Sequence, residues 1–344
     1  MKAILYKDVN SYDFFDNIPE PDLTEELNIK VEVLYCGICG SDIHKLLYEK
    51  PNMGYVKTNI LGHEMIGKVV DIGTINRKDI RVGDIVSIEP ILYCDNCDMC
   101  TKGYIQFCKN VKSLGRDIQG GFAEYITVNE KQVYKIDNDS TDNTLKRIAL
   151  ADPYSVAMHI KNMVDSTNKK IGIVGDGIIG LATAELLSEK NEVIVFGKHD
   201  NRKDILQKIN VGYRSVDDYS GFENYFDVSI EAVGGRQDST LINSIVITKP
   251  KGKIIVSGVF DNNFKFNIPL RQSFYKELSI VGCNSFEKNN GISDFKLAVD
   301  YLKNKSAIEG DLISKTFKID DFNSAIEYIK NRKENNCIKV LIEM

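Results

Sequence analysis

Four cysteines stand close together in the stretch CDNCDMCTKGYIQFC, at residues 94–108, with the spacing C-x2-C-x2-C-x7-C. They are Cys94, Cys97, Cys100 and Cys108. Four thiolates in one short segment suit a closed tetrahedral zinc site, which has no open position for a substrate. Four buried free thiols are the alternative, and the spacing does not match the common iron–sulfur patterns. The sequence therefore predicts a structural zinc ion in this segment.

A second set of residues that can bind a metal is spread along the chain. It consists of Cys39 in CGICGSD, His63 and Glu64 in LGHE, and Asp152 in LADPYS. One thiolate, one imidazole and one or two carboxylates can hold zinc and still leave room for water or a substrate. Each residue taken alone is also a common structural residue, since a lone cysteine is usually a small buried apolar group. Spacing alone leaves both interpretations open.

The stretch VGDGIIG follows a predicted strand and opens a predicted helix, which is the setting of a dinucleotide-binding turn. Gly175 would allow the tight turn, and Gly177 would let a pyrophosphate approach the backbone. Gly180 would let the helix pack on the sheet. Ile178 and Ile179 begin that helix, whose N-terminus stabilises an anion. We therefore predict that these five residues bind a dinucleotide.

The composition is that of an ordinary globular protein of 344 residues, with 43% hydrophobic and 27% charged residues, and this length favours two domains. The formal net charge of −5 gives no support to binding of nucleic acid or an anionic membrane. The N-terminal segment lacks the apolar run of a signal peptide, and no later segment is apolar enough to span a bilayer. We expect a cytoplasmic location, where the eight cysteines would be thiols or metal ligands.

The predicted secondary structure that must position these residues changes near Pro153, from strands alone to alternating strands and helices. Before it, short runs of alternating apolar and polar residues lie between Gly and Asp turns, which predicts a β-rich domain. From about Lys169 strands alternate with helices, and repeated βαβ units predict a parallel sheet covered by helices on both faces. After about Asn290 the chain ends in predicted helices and a final strand, KVLIEM. The predicted fold class is α/β, with a β-rich domain and a doubly wound parallel-sheet domain.

Together these motifs resemble the zinc-containing medium-chain dehydrogenase/reductase family, and within it the polyol dehydrogenases of the sorbitol type. CGICGSD, LGHE, the four-cysteine segment, GGFAEY and VGDGIIG occur in the family's order along nearly the whole chain. The resemblance implies a GroES-like catalytic domain at residues 1–153 and 290–344, with a Rossmann domain at residues 154–289. It also implies a zinc-dependent alcohol or polyol dehydrogenase that uses a nicotinamide coenzyme and holds two zinc ions per chain.

The resemblance gives the dispersed set its expected roles. Cys39 and His63 match catalytic zinc ligands of the family, and Glu64 matches the acid that is a direct ligand in polyol dehydrogenases. Asp152 stands where the polyol branch usually has Glu and the ethanol-type branch has Cys. Its shorter side chain would reach the metal directly or through water.

A proton must also move during the implied reaction. Zinc would act as a Lewis acid on the substrate oxygen, while hydride passes between the substrate carbon and the nicotinamide. Ser41 matches the hydroxyl at the start of the family's proton relay, and His44 matches its solvent-side end. A role for Ser41 in capping a local helix is compatible with that assignment.

The expected substrate is a small polyol or the corresponding ketose, free or as its phosphate. Threonine and vicinal diols are alternatives within the family. Lys45, Arg116 and Arg271 are candidates to bind a substrate phosphate, although a single surface Lys or Arg is usually only solvated. A non-catalytic nucleotide-binding protein on this scaffold is an alternative of another class. It predicts loss of the catalytic residues, which are all present here.

The stretch VIVFGKHDNR bears on the choice of coenzyme. An NAD site has an acid at the end of this strand, about 20 residues after the glycine-rich turn, to bind the ribose. Here that position is Gly197, followed by Lys198 and Arg202, which could bind a 2′-phosphate through charge-assisted hydrogen bonds. A solvated loop is one alternative, and a shifted strand with Asp200 as the ribose acid is another. The sequence favours NADP(H) over NAD(H), with Asp200 or Asn201 capping the next helix.

The last predicted strand of the parallel sheet, LSIVGC at residues 278–283, is apolar and lacks the Lys or bulge that protects an exposed edge. In the family this strand commonly pairs with its copy in another subunit. The resemblance therefore implies a homodimer or a homotetramer. The alternative is an edge covered by a helix of the same chain.

Overall fold

The structure is a computed structural model, and it describes residues 1–48, 58–75, 77, 79–261, 264–304 and 308–344. The strands are β1 (Ala3–Asp8), β2 (Ser11–Phe15), β3 (Ile29–Gly37), β4 (Glu64–Ile72), β5 (Ile85–Ile88), β6 (Ile91–Leu92), β7 (Lys112–Ser113), β8 (Tyr125–Val128), β9 (Val133–Ile136), β10 (Lys170–Val174), β11 (Glu192–Gly197), β12 (Gly212–Ser215), β13 (Phe226–Glu231), β14 (Thr248–Val256), β15 (Ser279–Gly282), β16 (Lys288–Asn289), β17 (Ile292–Ser293), β18 (Ile313–Lys318) and β19 (Lys339–Glu343). The α-helices are α1 (Gly40–Leu47), α2 (Asp98–Thr101), α3 (Asp142–Ile148), α4 (Ala151–Val164), α5 (Ile178–Ser188), α6 (Arg202–Gln207), α7 (Ser239–Ile247), α8 (Leu270–Lys276), α9 (Asp294–Asn304), α10 (Glu309–Leu312) and α11 (Phe322–Lys330).

The chain forms two compact units, and each is described here by itself. One consists of Met1–Asp152 and Glu287–Met344, and the other of Pro153–Phe286. The sequence predicts boundaries after residue 153 and before residue 290. Within the described ranges, no helix has both the length and the apolar character needed to cross a bilayer.

The first unit is built on a seven-stranded sheet. Its strands run in the order β18-β19-β3-β4-β5-β9, and β8 pairs with β3. Alternation in β3 puts Ile29, Val31 and Val33 on a buried face, where they join Val69 and Ile126 in one apolar core. The predicted β-rich domain is confirmed. The C-terminal segment supplies both β18 and β19 to this sheet, whereas the sequence predicts a single strand there.

The second unit is a six-stranded parallel sheet with the order β12-β11-β10-β13-β14-β15. Counted from β10, this is the strand order 3-2-1-4-5-6 of dinucleotide-binding domains, and the order reverses between β10 and β13. Ligands of such sheets bind beyond the carboxyl ends of the strands at that point of reversal. The predicted doubly wound domain is confirmed, and its glycine-rich turn follows β10 at this point.

Candidate active site

Three of the predicted catalytic zinc ligands converge in the first unit. Cys39 is the N-cap of α1, two residues after β3 ends. His63 and Glu64 stand at the start of β4, and the antiparallel register pairs Gly37 with Glu64. One ligand atom from each of Cys39, His63 and Glu64 lies within 4.8 Å of the other two. This spacing leaves room for a single metal ion to contact all three.

Glu64 is held by a cation that sequence reasoning missed. Lys339 Nζ, on β19, lies 2.7 Å from both carboxylate oxygens of Glu64 and 3.1 Å from the carbonyl oxygen of Ile38. The side chain of Lys339 is 3% exposed and that of Glu64 is 1% exposed. Burial alone would lower the pKa of Lys339, but Glu64, Cys39 and Asp152 raise it. Lys339 therefore balances the negative charge that two carboxylates and a thiolate would bring to this site.

Asp42 is a second residue that the sequence reasoning left out. It stands on the first turn of α1, three residues after Cys39, and is fully buried. Its Oδ2 accepts a hydrogen bond from the Cys39 N–H at 3.1 Å, and its Oδ1 lies 3.6 Å from His63 Nδ1. Burial would raise the pKa of Asp42, but His63 and Lys45 lower it.

The Asp42 contact fits a histidine that binds metal through its other nitrogen. Burial would lower the pKa of His63, yet Asp42 and Cys39 raise it well above its usual value. A metal-binding histidine commonly directs one ring N–H to a carboxylate, which leaves the second nitrogen for the ion. The signal in the sequence was the acid three residues after Cys39, on the same turn of a helix.

Asp152 lies beside this group rather than within it. It is partly buried in the first turn of α4, and burial raises its pKa to about 6, with opposing effects from His63 and Glu64. The cluster of ligand atoms within 4.8 Å of one another consists of Cys39, His63 and Glu64 and does not include Asp152. The effects of His63 and Glu64 on the pKa of Asp152 agree with a position near the candidate metal site.

The predicted proton-relay residues share helix α1 with Cys39. Ser41 is half-buried in the first turn, and His44 is exposed in the next. The His44 ring meets Tyr48 edge-on, with centroids 5.8 Å apart. Ser41 and His44 are three positions apart and so share one face of α1, with the exposed residue farther from Cys39.

The four clustered cysteines also converge. One ligand atom from each lies within 4.8 Å of every other, and Cys94 Sγ is 3.9 Å from Cys100 Sγ and 3.5 Å from Cys108 Sγ. Four thiolates around zinc at about 2.3 Å place sulfur atoms about 3.8 Å apart. Backbone N–H groups of Cys100 and Lys109 lower the pKa of Cys97 to about 6. The cluster thus fits a closed tetrathiolate zinc site.

The glycine-rich turn has the shape that a pyrophosphate requires. Gly175 has φ of +124°, and a Cβ there would come within 2.8 Å of Val233. A Cβ on Gly180 would stand 2.0 Å from the Gly175 carbonyl oxygen, whereas one on Gly177 would meet nothing within 4 Å. The face of Gly177 is therefore open, and partly exposed Ile178 and Ile179 begin α5 beside it.

The end of β11 agrees in part with the sequence reasoning. The strand ends at Gly197 as predicted, and Lys198 beyond it is exposed. Arg202 opens α6 but is only 2% exposed, so a phosphate contact requires this side chain to move outward. Asn201 is the N-cap, yet its side chain makes no capping hydrogen bond because its backbone is already helical, with φ −64° and ψ −13°.

Comparison with known proteins agrees with this geometry. The family model described as Alcohol dehydrogenase GroES-like domain matches residues 25–138. D-arabinitol dehydrogenase 1 of Uromyces fabae is 30% identical over 323 residues, which cover 88% of this chain and 86% of that protein. L-threonine 3-dehydrogenase of Caldanaerobacter subterraneus is 32% identical over 188 residues, which cover 54% of this chain and 52% of that protein. The match to this second relative therefore spans about half its length.

A solved structure extends the likeness over the whole chain. The crystal structure of a zinc-binding dehydrogenase from Sinorhizobium meliloti, bound to NADP, superposes with a TM-score of 0.84. It is 26% identical, and the match covers 100% of this chain and 99% of that one. The chain belongs to the zinc-containing medium-chain dehydrogenase/reductase family.

Proposed function

We propose that this protein transfers a hydride between a nicotinamide coenzyme and a small polyol or its ketose. The observation that carries the proposal is the convergence of Cys39, His63 and Glu64 within 4.8 Å, in a chain that also has an open glycine-rich turn after β10. The D-arabinitol dehydrogenase of Uromyces fabae, which matches over most of both chains, supports a polyol as substrate. Threonine is the second candidate, because the L-threonine 3-dehydrogenase of Caldanaerobacter subterraneus is also similar.

The catalytic zinc would be held by Cys39, His63 and Glu64, with Asp152 as a fourth ligand or as a partner through water. A bound zinc supplies Lewis acidity toward the substrate oxygen. Asp42 would orient the His63 ring. Lys339 holds Glu64 in place, since both oxygens of this carboxylate face its ammonium.

Proton movement is assigned to α1. The half-buried Ser41 would accept or donate the proton nearest the reacting oxygen, and exposed His44 would exchange it with water. The four-cysteine cluster would hold a second zinc ion with a structural role, which gives two per chain.

NADP(H) is the proposed coenzyme. The strand that would carry a ribose-binding acid ends in Gly197, and exposed Lys198 follows it. The related Sinorhizobium meliloti protein binds NADP. Because Arg202 is buried, exposed Lys198 would supply the main positive charge at this end of β11.

A substrate phosphate has weaker support. Lys45 donates to the Gly115 carbonyl oxygen, Arg116 pairs with Asp117, and Arg271 lies over the Tyr275 ring. These contacts already occupy the three basic side chains that the sequence offers as phosphate ligands. An unphosphorylated polyol or ketose is therefore the substrate we propose first.

A homo-oligomer formed through β15 is also proposed. This strand ends the six-stranded sheet, and its residues are largely exposed, with Ile280 at 41%. On α8, Leu270, Phe274 and Tyr275 are each at least 70% exposed. An apolar edge beside large exposed apolar side chains is typical of a surface that pairs with another subunit.

Steady-state turnover tests the proposed function. Zinc-loaded protein is offered polyols, ketoses, their phosphates, vicinal diols and threonine, with NADP(H) and NAD(H), and the absorbance of reduced nicotinamide is followed. We expect the highest kcat/KM for a polyol or ketose with NADP(H). Faster turnover of threonine than of any polyol would assign the second candidate, and no turnover of any class would contradict the proposal.

A further inference from the structure

A buried carboxylate from the turn that follows β10 lies at the end of β11. Asp176, inside the glycine-rich turn, directs its side chain over Gly197, where an added Cβ would stand 2.3 Å from Asp176 Oδ2. The same oxygen accepts the His199 backbone N–H at 2.8 Å. Both carboxylate oxygens also lie 3.0 and 3.1 Å from His199 Nδ1. A side chain at position 197 would therefore collide with Asp176, which leaves room only for glycine. Asp176 in turn accepts a hydrogen bond from His199.

The imidazole is more exposed to solvent than the carboxylate that it contacts. The side chain of Asp176 is 8% exposed and that of His199 is 27% exposed. In a dinucleotide-binding domain, a carboxylate at this strand end binds the ribose of NAD. Here the carboxylate near this strand end is already in contact with the more exposed ring of His199, which follows exposed Lys198.

The hydrogen bonds that Nε2 of His199 can form depend on the protonation state of the ring. Nδ1 faces Asp176, so this nitrogen carries the hydrogen in a satisfied contact. In the neutral ring Nε2 is then only an acceptor, whereas in the imidazolium form both nitrogens donate. An oxyanion placed beyond Nε2 is bound only by the protonated ring, and then through a charge-assisted hydrogen bond.

We propose that His199, positioned by Asp176, binds the 2′-phosphate of NADP(H) through Nε2–H, so that the coenzyme preference increases as pH falls. The inference rests on the proposed function, because it needs a nicotinamide coenzyme in the second unit. His199 is thereby a specificity-determining residue of this chain, and Asp176 is a positioning residue that acts through it.

Other charged and titratable groups also lie at this strand end. Lys198 is an exposed basic residue, and Asp200 is an exposed acid at the start of the next turn. Arg202 is a buried permanent cation. Burial, Asp176 and Asp200 raise the pKa of Tyr213, on β12, to about 12, so its hydroxyl stays neutral.

Binding of two nucleotide fragments isolates this contact without any catalytic readout. Adenosine 2′,5′-bisphosphate and 5′-AMP differ by the 2′-phosphate alone, and calorimetry on the zinc-loaded full chain gives a Kd for each. Measurements at about pH 6.5 and about pH 8.5 change the charge of a histidine, while the phosphate stays mostly doubly ionised above its second pKa of about 6. The variants are His199→Gln and Asp176→Asn, with Lys203→Gln as a control for loss of an exposed charge on α6.

For the wild type, we expect the preference for the bisphosphate over 5′-AMP to grow on the order of tenfold from the higher to the lower pH, as for one charge-assisted hydrogen bond. His199→Gln should remove this increase, Asp176→Asn should reduce it severalfold, and Lys203→Gln should keep it. An unchanged pH profile in His199→Gln would overturn the inference. So would a gain of bisphosphate affinity in Asp176→Asn, because Asp176 would then repel the phosphate. Failure of the wild type to bind either fragment would contradict the proposed function itself.

Discussion

The pair of Lys339 and Glu64 allows a quantitative test of the catalytic cluster. Lys339→Met keeps much of the side-chain volume but leaves the Glu64 carboxylate without its cation. The side chains of both residues are at least 97% buried, and Lys339 Nζ lies 2.7 Å from each carboxylate oxygen of Glu64. Breaking such a buried pair costs about 3–5 kcal/mol, because an uncompensated charge stays behind. In metal-free protein we therefore expect that loss in the free energy of unfolding of the first unit.

Zinc should reverse much of this loss. A bound divalent ion next to Glu64 takes over the role of the missing ammonium, so zinc should stabilise Lys339→Met more than it stabilises the wild type. For a unit of this size, 3–5 kcal/mol corresponds to a fall in Tm of roughly 6–20 °C. Calorimetry with chelator and with excess zinc, each compared with wild type in the same buffer, measures both effects.

Two variants make the result specific to the buried pair. Lys339→Arg keeps the positive charge and should lose much less stability than Lys339→Met. Lys330→Met removes a lysine from an exposed pair with Glu327 and should cost at most about 1 kcal/mol. Equal destabilisation of Lys339→Met and Lys330→Met would refute the reasoning about burial. Equal losses with chelator and with zinc would refute a place for Glu64 beside the metal.

Four further outcomes are expected. Cys97→Ser should lower the zinc content from two to one per chain and unfold the four-cysteine lobe, since structural zinc contributes on the order of 10 kcal/mol; metal analysis and proteolysis check both. Ser41→Ala should lower kcat about 100-fold with zinc retained, and full activity would reject the relay. Burial raises the pKa of Glu89 to about 7, so its stabilising contribution is present below about pH 4.5 and is lost as pH rises through 7. Glu89→Gln should therefore be more stable than wild type by about 3 kcal/mol at pH 8 and equal to it at pH 4, as measured by urea unfolding. Wild type should be dimeric or tetrameric by light scattering, and Ile280→Lys should be monomeric; a monomeric wild type contradicts the proposed β15 interface.

Local periodicity was sufficient to predict both folding units. Alternation in the first half and repeated βαβ units after Lys169 come from residues close in sequence, and they predicted β3, β4 and five strands of the parallel sheet, namely β10, β11, β13, β14 and β15. The short edge strand β12 was not predicted. The C-terminal strand β18 was not predicted, because ISKTFK lacks a strong apolar alternation and pairs only with β19 and no other described strand. Its place depends on the first unit being assembled from both ends of the chain.

Motif spacing was sufficient to identify the four cysteines of the proposed structural zinc site, which are close in sequence and converge in the structure. Cys94 to Cys108 lie within one short lobe, so their convergence follows from chain geometry. Cys39 and His63 are 24 positions apart, and only the register of β3 with β4 brings them together. Here the resemblance to a family supplied what spacing left open.

Only the tertiary structure revealed the groups that control charge at these sites. Lys339 is 275 positions from Glu64, and Asp176 reaches His199 across two neighbouring strands. Neither pairing has a sequence pattern, because a salt bridge or hydrogen bond between distant segments depends on strand register and burial. The buried position of Arg202 follows from packing in the same way. The sequence determined which residues can do chemistry, and the packing of distant strands decided which charges surround them.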